Sequence, residues 1–336
     1  MHITPLFETA FQGKIRKTPE DFQVDEIMNI PMDGEGEHQW LKIQKREANT
    51  DWVAGQLARI AGIQKRDVGY AGLKDRNAVT TQWFSLHVPG RTVEDIAVQL
   101  PEGVVLLEEH RHSKKLRRGA LEGNQFTLVL RECAGDAEAF QQAVNKMAEQ
   151  GMPNYFGSQR FGHGGNNIEN AKKWFAGEFK PKKRPQKSMY LSAARSYLFN
   201  EILNARVQAA NWNQAVSGDV LQFEGSHSWF VDEGEADIPT RVDSLDIHPT
   251  AALWGRGALP TKNEALALET RIAEQHEALC DGLERNGLQQ DRRAMRVLPK
   301  NVVLQRQSDQ EYALKFILPA GSYATVFLAN CGEFVA

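Results

Sequence analysis

Short segments that alternate apolar and polar residues dominate the first 135 residues, and they commit this part of the chain to β-sheet. Phe22-Gln23-Val24-Asp25-Glu26-Ile27 has the two-residue period of a half-buried strand, and Trp40-Leu41-Lys42-Ile43-Gln44 repeats it. Further strands are predicted around Val68-Gly69-Tyr70, Trp83–Val88, Val104–Leu107 and Asn124–Arg131. The last rests on the β-favouring run Phe126-Thr127-Leu128-Val129-Leu130. Helical spacing intervenes at Asn49–Ala61, where Val53, Leu57, Ile60 and Ala61 share a face. Thr50 is expected to cap that helix and Gly62 to end it. Residues 136–150 predict a second helix, stopped at Gly151 ahead of Pro153.

Beyond residue 150 the composition shifts. A Gly/Asn-rich stretch runs from Gly157 to Asn167, and a lysine-rich linker runs from Lys180 to Lys187. A helix carrying Leu191, Leu198 and Ile202 follows, then a polar helix over Asn263–Arg285. The chain closes with a strand at Tyr312–Leu318 and an apolar helix at Tyr323–Asn330. The 336 residues suggest two domains at roughly 150 residues each. An economical arrangement is a mixed α/β body, residues 1–150 resumed at about 295–336, interrupted by a second domain at about 151–294.

Several classes are excluded or disfavoured. No apolar run approaches the roughly 18 residues of a membrane span. Met1-His2-Ile3-Thr4-Pro5 lacks the basic-then-apolar build of a secretory signal. Cys133, Cys280 and Cys331 lie far apart with no CxxC, so neither a disulfide framework nor a zinc ribbon is expected, and a reducing cytoplasm fits. No heptad seam argues for an oligomer, and a monomer is expected. Forty basic against 43 acidic residues give a net charge of −3, unlike a chain basic all over. Nucleic-acid binding needs only a local basic surface, so it stays open.

The segment richest in chemistry is Gly69-Tyr70-Ala71-Gly72-Leu73-Lys74-Asp75-Arg76-Asn77-Ala78-Val79-Thr80-Thr81-Gln82. A short strand enters a glycine-bounded turn and another strand leaves it. Gly69 and Gly72 are expected to supply backbone geometry closed to other residues. The turn presents a carboxylate, Asp75, between Lys74 and Arg76. Neighbouring positive charge favours a carboxylate's ionised form, and an ionised Asp on a rigid loop suits a nucleophile or a general base. The same triplet is also the composition of a solvated surface turn.

This segment, continued to Trp83, closely resembles the active-site motif of the TruD family of tRNA pseudouridine synthases. Other blocks resemble the family in the same order: Pro19–Glu26, Gly119–Phe126, Pro153–Gly162, Leu191–Ser196, Arg292–Met295 and Leu318–Thr325. The resemblance spans residues 13 to about 326. It implies a mixed, largely antiparallel pseudouridine synthase sheet of the α+β class, with the second α/β domain inserted and helping to enclose the RNA. It implies an isomerase that flips a uridine, uridine 13 in the D-arm region of tRNA, and rejoins the base to the ribose through carbon. No cofactor or metal is implied. Residue by residue, Asp75 matches the catalytic aspartate and Asn124 the substrate-contacting asparagine. Phe22 matches an aromatic suited to pack on the flipped uracil. Tyr323 stands where relatives carry Phe, its added hydroxyl reaching either substrate or water. Arg16 matches a basic residue and is expected to pair with Asp75.

Three basic clusters are candidates for tracking phosphates: His110–Arg118, Lys180–Lys187, and Arg292, Arg293 and Arg296. The first is preferred, through Lys114, Lys115, Arg117 and Arg118, because it immediately precedes the Asn124 strand. Arg160, Phe156 and Phe161 line either a cleft or a packed hinge, packing being preferred for the two rings. Two other classes stay open on the residues alone: an RNA-binding module without turnover, and a hydrolase using a second carboxylate from Glu20, Asp21, Asp25 or Glu26.

Overall fold

A computed structural model describes residues 3–336. It divides into two compact units, described separately. One comprises Thr9–Asn145, Pro299–Gly321 and Gly332–Ala336; the other comprises the segment up to Glu8, Lys146–Leu298 and Ser322–Cys331.

The first unit is built on a ten-stranded sheet. Its main path runs Lys300–Arg306, Tyr312–Pro319, Gly123–Gly135, Phe22–Ile27, Val79–His87, His38–Arg46, Val104–His112. Pairing along this path is antiparallel except where Phe22–Ile27 lies parallel to Val79–His87. The mixed, largely antiparallel α+β class expected from the sequence is the one found. The predicted strands are all present, and most are longer than alternation alone indicates. Val79–His87 starts four residues before Trp83, and Val104–His112 absorbs the first three residues of the His110 basic run.

The helix Thr50–Ile60 covers one face of this sheet. Val53, Ala54, Leu57 and Ala58 are buried with Leu41, Ile43, Phe84 and Leu86. Burying a side chain of Leu or Phe size contributes about 1.5–3 kcal/mol. Asn49, not Thr50, takes the N-cap position. The Thr50 hydroxyl donates to Gln82 Oε1 at 2.8 Å, so it is spent on the sheet rather than on capping its own helix. Gly62 does end the helix, in the left-handed conformation with φ +62°.

The second unit packs helices Asn166–Phe175, Arg184–Gln208 and Glu277–Arg285 around Phe175, Tyr190, Leu198 and Leu283. It adds a four-stranded antiparallel sheet in the order Trp229–Val231, Val220–Phe223, Ile247–Leu253, Asp291–Ala294. Three expectations are corrected here. The lysine-rich linker is half helix, because Arg184 and Pro185 open the long helix, and Pro is favoured in a first turn. The polar helix predicted over 263–285 is two helices, Asn263–Gln275 and Glu277–Arg285, broken where His276 leaves helical geometry. The Gly/Asn-rich stretch gives way to the helix Asn166–Phe175, which composition had masked.

No helix among the described residues is long and apolar enough to cross a membrane. Cys133, Cys280 and Cys331 are buried free thiols.

Candidate active site

Asp75 sits on the loop joining the antiparallel strands Val68–Tyr70 and Val79–His87. Its side chain is 35% exposed, so the carboxylate is within reach of a substrate. The loop is fixed from beneath by side chains that rise out of the sheet. Lys74 does not flank the carboxylate in space. It turns inward, where its Nζ donates to Glu26 Oε1 at 3.0 Å, and both side chains are buried. The other oxygen of Glu26 accepts from the Trp83 N–H at 2.9 Å. The Lys74 N–H donates to Thr50 Oγ1 at 3.0 Å, and Gln82 Nε2 donates to the Gly72 carbonyl at 3.1 Å. Fully buried Lys45 donates to the carbonyls of Ala48 at 2.6 Å and of Asp75 itself at 3.1 Å. Burial pushes the Lys45 ammonium down to about 8, against the favourable charge of Asp75. Arg76 is exposed.

The expected Arg16–Asp75 pair is present. Arg16 Nη2 meets Asp75 Oδ2 at 2.5 Å, with the guanidinium side chain 19% exposed. Arg16 follows the strand Phe11–Lys14 and has φ +60°, an uncommon conformation for a residue with a Cβ. Strain of this kind, of order 1–3 kcal/mol, persists where the surroundings over-determine it. Here the guanidinium lies 3.9 Å from the centroid of the Phe22 ring as well as against Asp75. Phe22 is 3% exposed and also packs edge-on against Phe126. Phe22 thus carries the guanidinium that holds Asp75.

Asn124 pairs across the sheet with Glu26 on one side and Leu318 on the other. Its Oδ1 is buried without a hydrogen-bond partner among the described residues. A buried acceptor left unpaired calls for an explanation, and a substrate donor is one.

The preferred basic run lies against the same loop. Leu116 is buried and its N–H donates to Ser85 Oγ at 3.0 Å, while the Gly119 N–H donates to the Ala71 carbonyl at 2.9 Å. Lys114, Lys115, Arg117 and Arg118 are all exposed. None of the four forms an ion pair with a carboxylate among the described residues. Arg118 lies 5.6 Å from the Tyr70 ring centroid. This packing explains Gly69: a Cβ there would stand 2.4 Å from the Leu116 carbonyl oxygen. Gly69 is needed for close approach rather than for a left-handed backbone. Gly72, whose added Cβ would meet only ordinary contact, is not constrained in this way.

Tyr323 belongs to the other unit, where it is 9% exposed at the start of the helix Ala324–Ala329. Its hydroxyl accepts from Arg160 Nε at 3.0 Å, and Arg160 Nη1 donates to Ser192 Oγ at 3.0 Å. Phe156 and Phe161 are buried, as packing residues are. The third basic cluster loses two members as phosphate candidates. Arg292 is buried in an ion pair with Glu269 at 2.8 Å, and Arg296 is buried against His248 and the carbonyls of Val242 and Ile247. Burial pushes Arg296 down to about 10.

Sequence reading held Glu26 only as one of four carboxylates open to a hydrolase, not as the buried partner of Lys74, and missed Lys45. Both stand at the inward phase of an alternating strand, after Phe22 and Val24 and after Leu41 and Ile43 respectively. An ionisable residue in an apolar phase was the available signal.

The chain matches the family model described as tRNA pseudouridine synthase D (TruD) over residues 6–180 and 166–331. It is similar to tRNA pseudouridine synthase D of Hydrogenovibrio crunogenus, 48% identical over 95% of this chain and 92% of that protein. It is similar to the protein of the same name from Methylococcus capsulatus, 45% identical over 97% of this chain and 93% of the other. Its fold is that of a solved structure from Methanosarcina mazei described as a putative tRNA pseudouridine synthase D, with a TM-score of 0.71 at 21% identity, covering 98% of this chain and 95% of that one. A family match over nearly the whole length, with a carboxylate held by an arginine on a pinned loop, leaves one conclusion: the chain belongs to the tRNA pseudouridine synthase D (TruD) family.

Proposed function

We propose that this enzyme, an isomerase by its family, converts a uridine of tRNA to pseudouridine, with uridine 13 in the D-arm region as target and Asp75 as nucleophile. The observation that carries the reading is the Asp75 carboxylate, reachable from solvent, gripped by Arg16 at 2.5 Å on a loop tied down by Lys45, Thr50 and Gln82. A nucleophile fixed in this way loses little further freedom on reaching the reacting carbon. The target atoms are hidden in the base stack, so the uridine is flipped out first. The N1–C1′ bond breaks, the base turns, and C5 bonds to C1′. The C5 proton is released and N1 gains one, so the step consumes no redox equivalent. Asn124 Oδ1 accepts from the uracil N3–H. Phe22 packs on the flipped uracil, Tyr323 is a substrate-binding ring by the family resemblance, and Lys114, Lys115, Arg117 and Arg118 follow the phosphates. The segment 151–294 acts as an inserted domain, and the protein works as a cytoplasmic monomer.

The test is single-turnover conversion of a tRNA tritiated at uridine C5. Tritium release mapped to uridine 13 supports the reading; release elsewhere revises the target, and free uracil would make the chain a hydrolase. Arg16→Met should slow that release about a hundredfold, the scale of a misplaced reacting group, while RNA binding stays near wild type. Near-normal turnover would remove Arg16 from the site. Replacing Lys114, Lys115, Arg117 and Arg118 with Gln should flatten the slope of log affinity against log salt by roughly three, from four phosphate contacts. An unchanged slope would leave the run as ordinary surface.

A further inference from the structure

Beside the Asp75 loop lies an open cleft of about 590 Å³, lined by Asn49, Trp52, Gln56, Arg59, Lys65 and Leu73, among others. That volume falls within the roughly 300–1,000 Å³ of small-ligand sites. Two of its lining residues are large apolar side chains left in solvent: Trp52 is 44% exposed and Leu73 is 69% exposed. Trp52 stands in the first turn of the helix Thr50–Ile60, and Leu73 is two residues from Asp75. The hydroxyl of Thr50, also in the lining, holds the Lys74 N–H, so the cleft and the Asp75 loop share a wall.

The polar lining has a definite character. Asp51 is neutralised by Lys65 at 2.5 Å, and Lys74 by Glu26. Arg59 donates to the neutral Gln56 amide at 2.7 Å and forms no ion pair among the described residues, so its charge is not cancelled. An exposed indole, side-chain amides and an uncancelled guanidinium match the three parts of a nucleotide: a flat base, its hydrogen-bonding edge and its phosphate.

We infer that this cleft is a subsite for an RNA nucleotide immediately flanking the flipped uridine, with its base stacked on Trp52 and its phosphate towards Arg59. Flipping a base removes a stacking partner from each neighbour, and an aromatic side chain beside the catalytic loop replaces one of them. The inference rests on the proposed base-flipping reaction, and the test separates the two.

Trp52→Ala in the full-length enzyme should weaken tRNA affinity about tenfold, the scale of one lost base–aromatic stack, and Trp52→Phe should restore most of it. The thermal midpoint should not move, because the indole is half in water. The decisive step pairs each protein with tRNAs made abasic at the nucleotide before or after the target. At one of the two positions, the abasic site and Trp52→Ala should each cost affinity, and together cost no more than either alone. Wild-type affinity in Trp52→Ala, or losses that simply multiply at both positions, would overturn the subsite. Because affinity is the readout, a wild type that releases no tritium sinks the proposed reaction while the binding cycle still decides the cleft.

Discussion

Asp75→Asn should leave tRNA binding comparable to wild type and cut single-turnover tritium release by at least about 10⁴-fold, the scale on which removing a nucleophile acts. The substitution is close to isosteric. It keeps the loop's anchors, because Lys45 bonds the Asp75 backbone carbonyl and not the carboxylate. Lys74 stays on Glu26, and Gln82 stays on the Gly72 carbonyl. What is lost is the carboxylate's charge and its nucleophilic oxygen. Arg16 then faces an amide, yet it keeps the Phe22 ring beneath it. The stability change should be small, since Asp75 is more than a third exposed and solvent screens such pairs. A fall in both thermal midpoint and turnover would mean damage to the loop. A fall in turnover alone assigns the chemistry to the carboxylate, and conversion within tenfold of wild type would exclude Asp75 as nucleophile.

The parts of this site that local patterning shows are those whose chemistry is local. The turn carrying Asp75 is bounded by strands, and its glycines read as special backbone geometry, although Gly69 is needed for close approach to the Leu116 carbonyl and Gly72 is not constrained. The Arg16–Asp75 pair spans 59 residues, and it came from resemblance to a family, because no periodicity joins the two. Glu26 stood among four candidate carboxylates with no spacing to single it out, and Lys45 was visible only as an ionisable residue at the inward phase of a strand. Composition misled where side-chain identity and burial part company. Arg292, Arg293 and Arg296 read as a surface cluster, yet alternation along a strand turns Arg292 into the interior against Glu269. The helix Asn166–Phe175 was hidden by the glycines before it and the asparagines at its start, although Ile168, Ala171 and Phe175 hold helical spacing and are buried.

Removing one partner of the Glu26–Lys74 pair should strongly destabilise the first unit. Both side chains are buried, and Glu26 also accepts from the Trp83 N–H. Glu26→Ala strands a buried ammonium and an unsatisfied amide, and the expected loss is about 3–5 kcal/mol in denaturant unfolding. Lys74→Met strands the carboxylate with a single backbone donor and should cost a similar amount. The pair Glu26→Gln with Lys74→Met removes both charges, and the Gln oxygen still accepts from Trp83. It should therefore recover most of the stability, because replacing a buried ion pair is often neutral while breaking one is not. Turnover discriminates between two roles for Lys74. Its ammonium points at Glu26 and not at the Asp75 carboxylate, so its task is to place the loop. Tritium release should then fall with either single change and return with the double change. Recovered stability without recovered turnover would mean that the Lys74 charge itself acts on the reaction, and the placement role would be wrong.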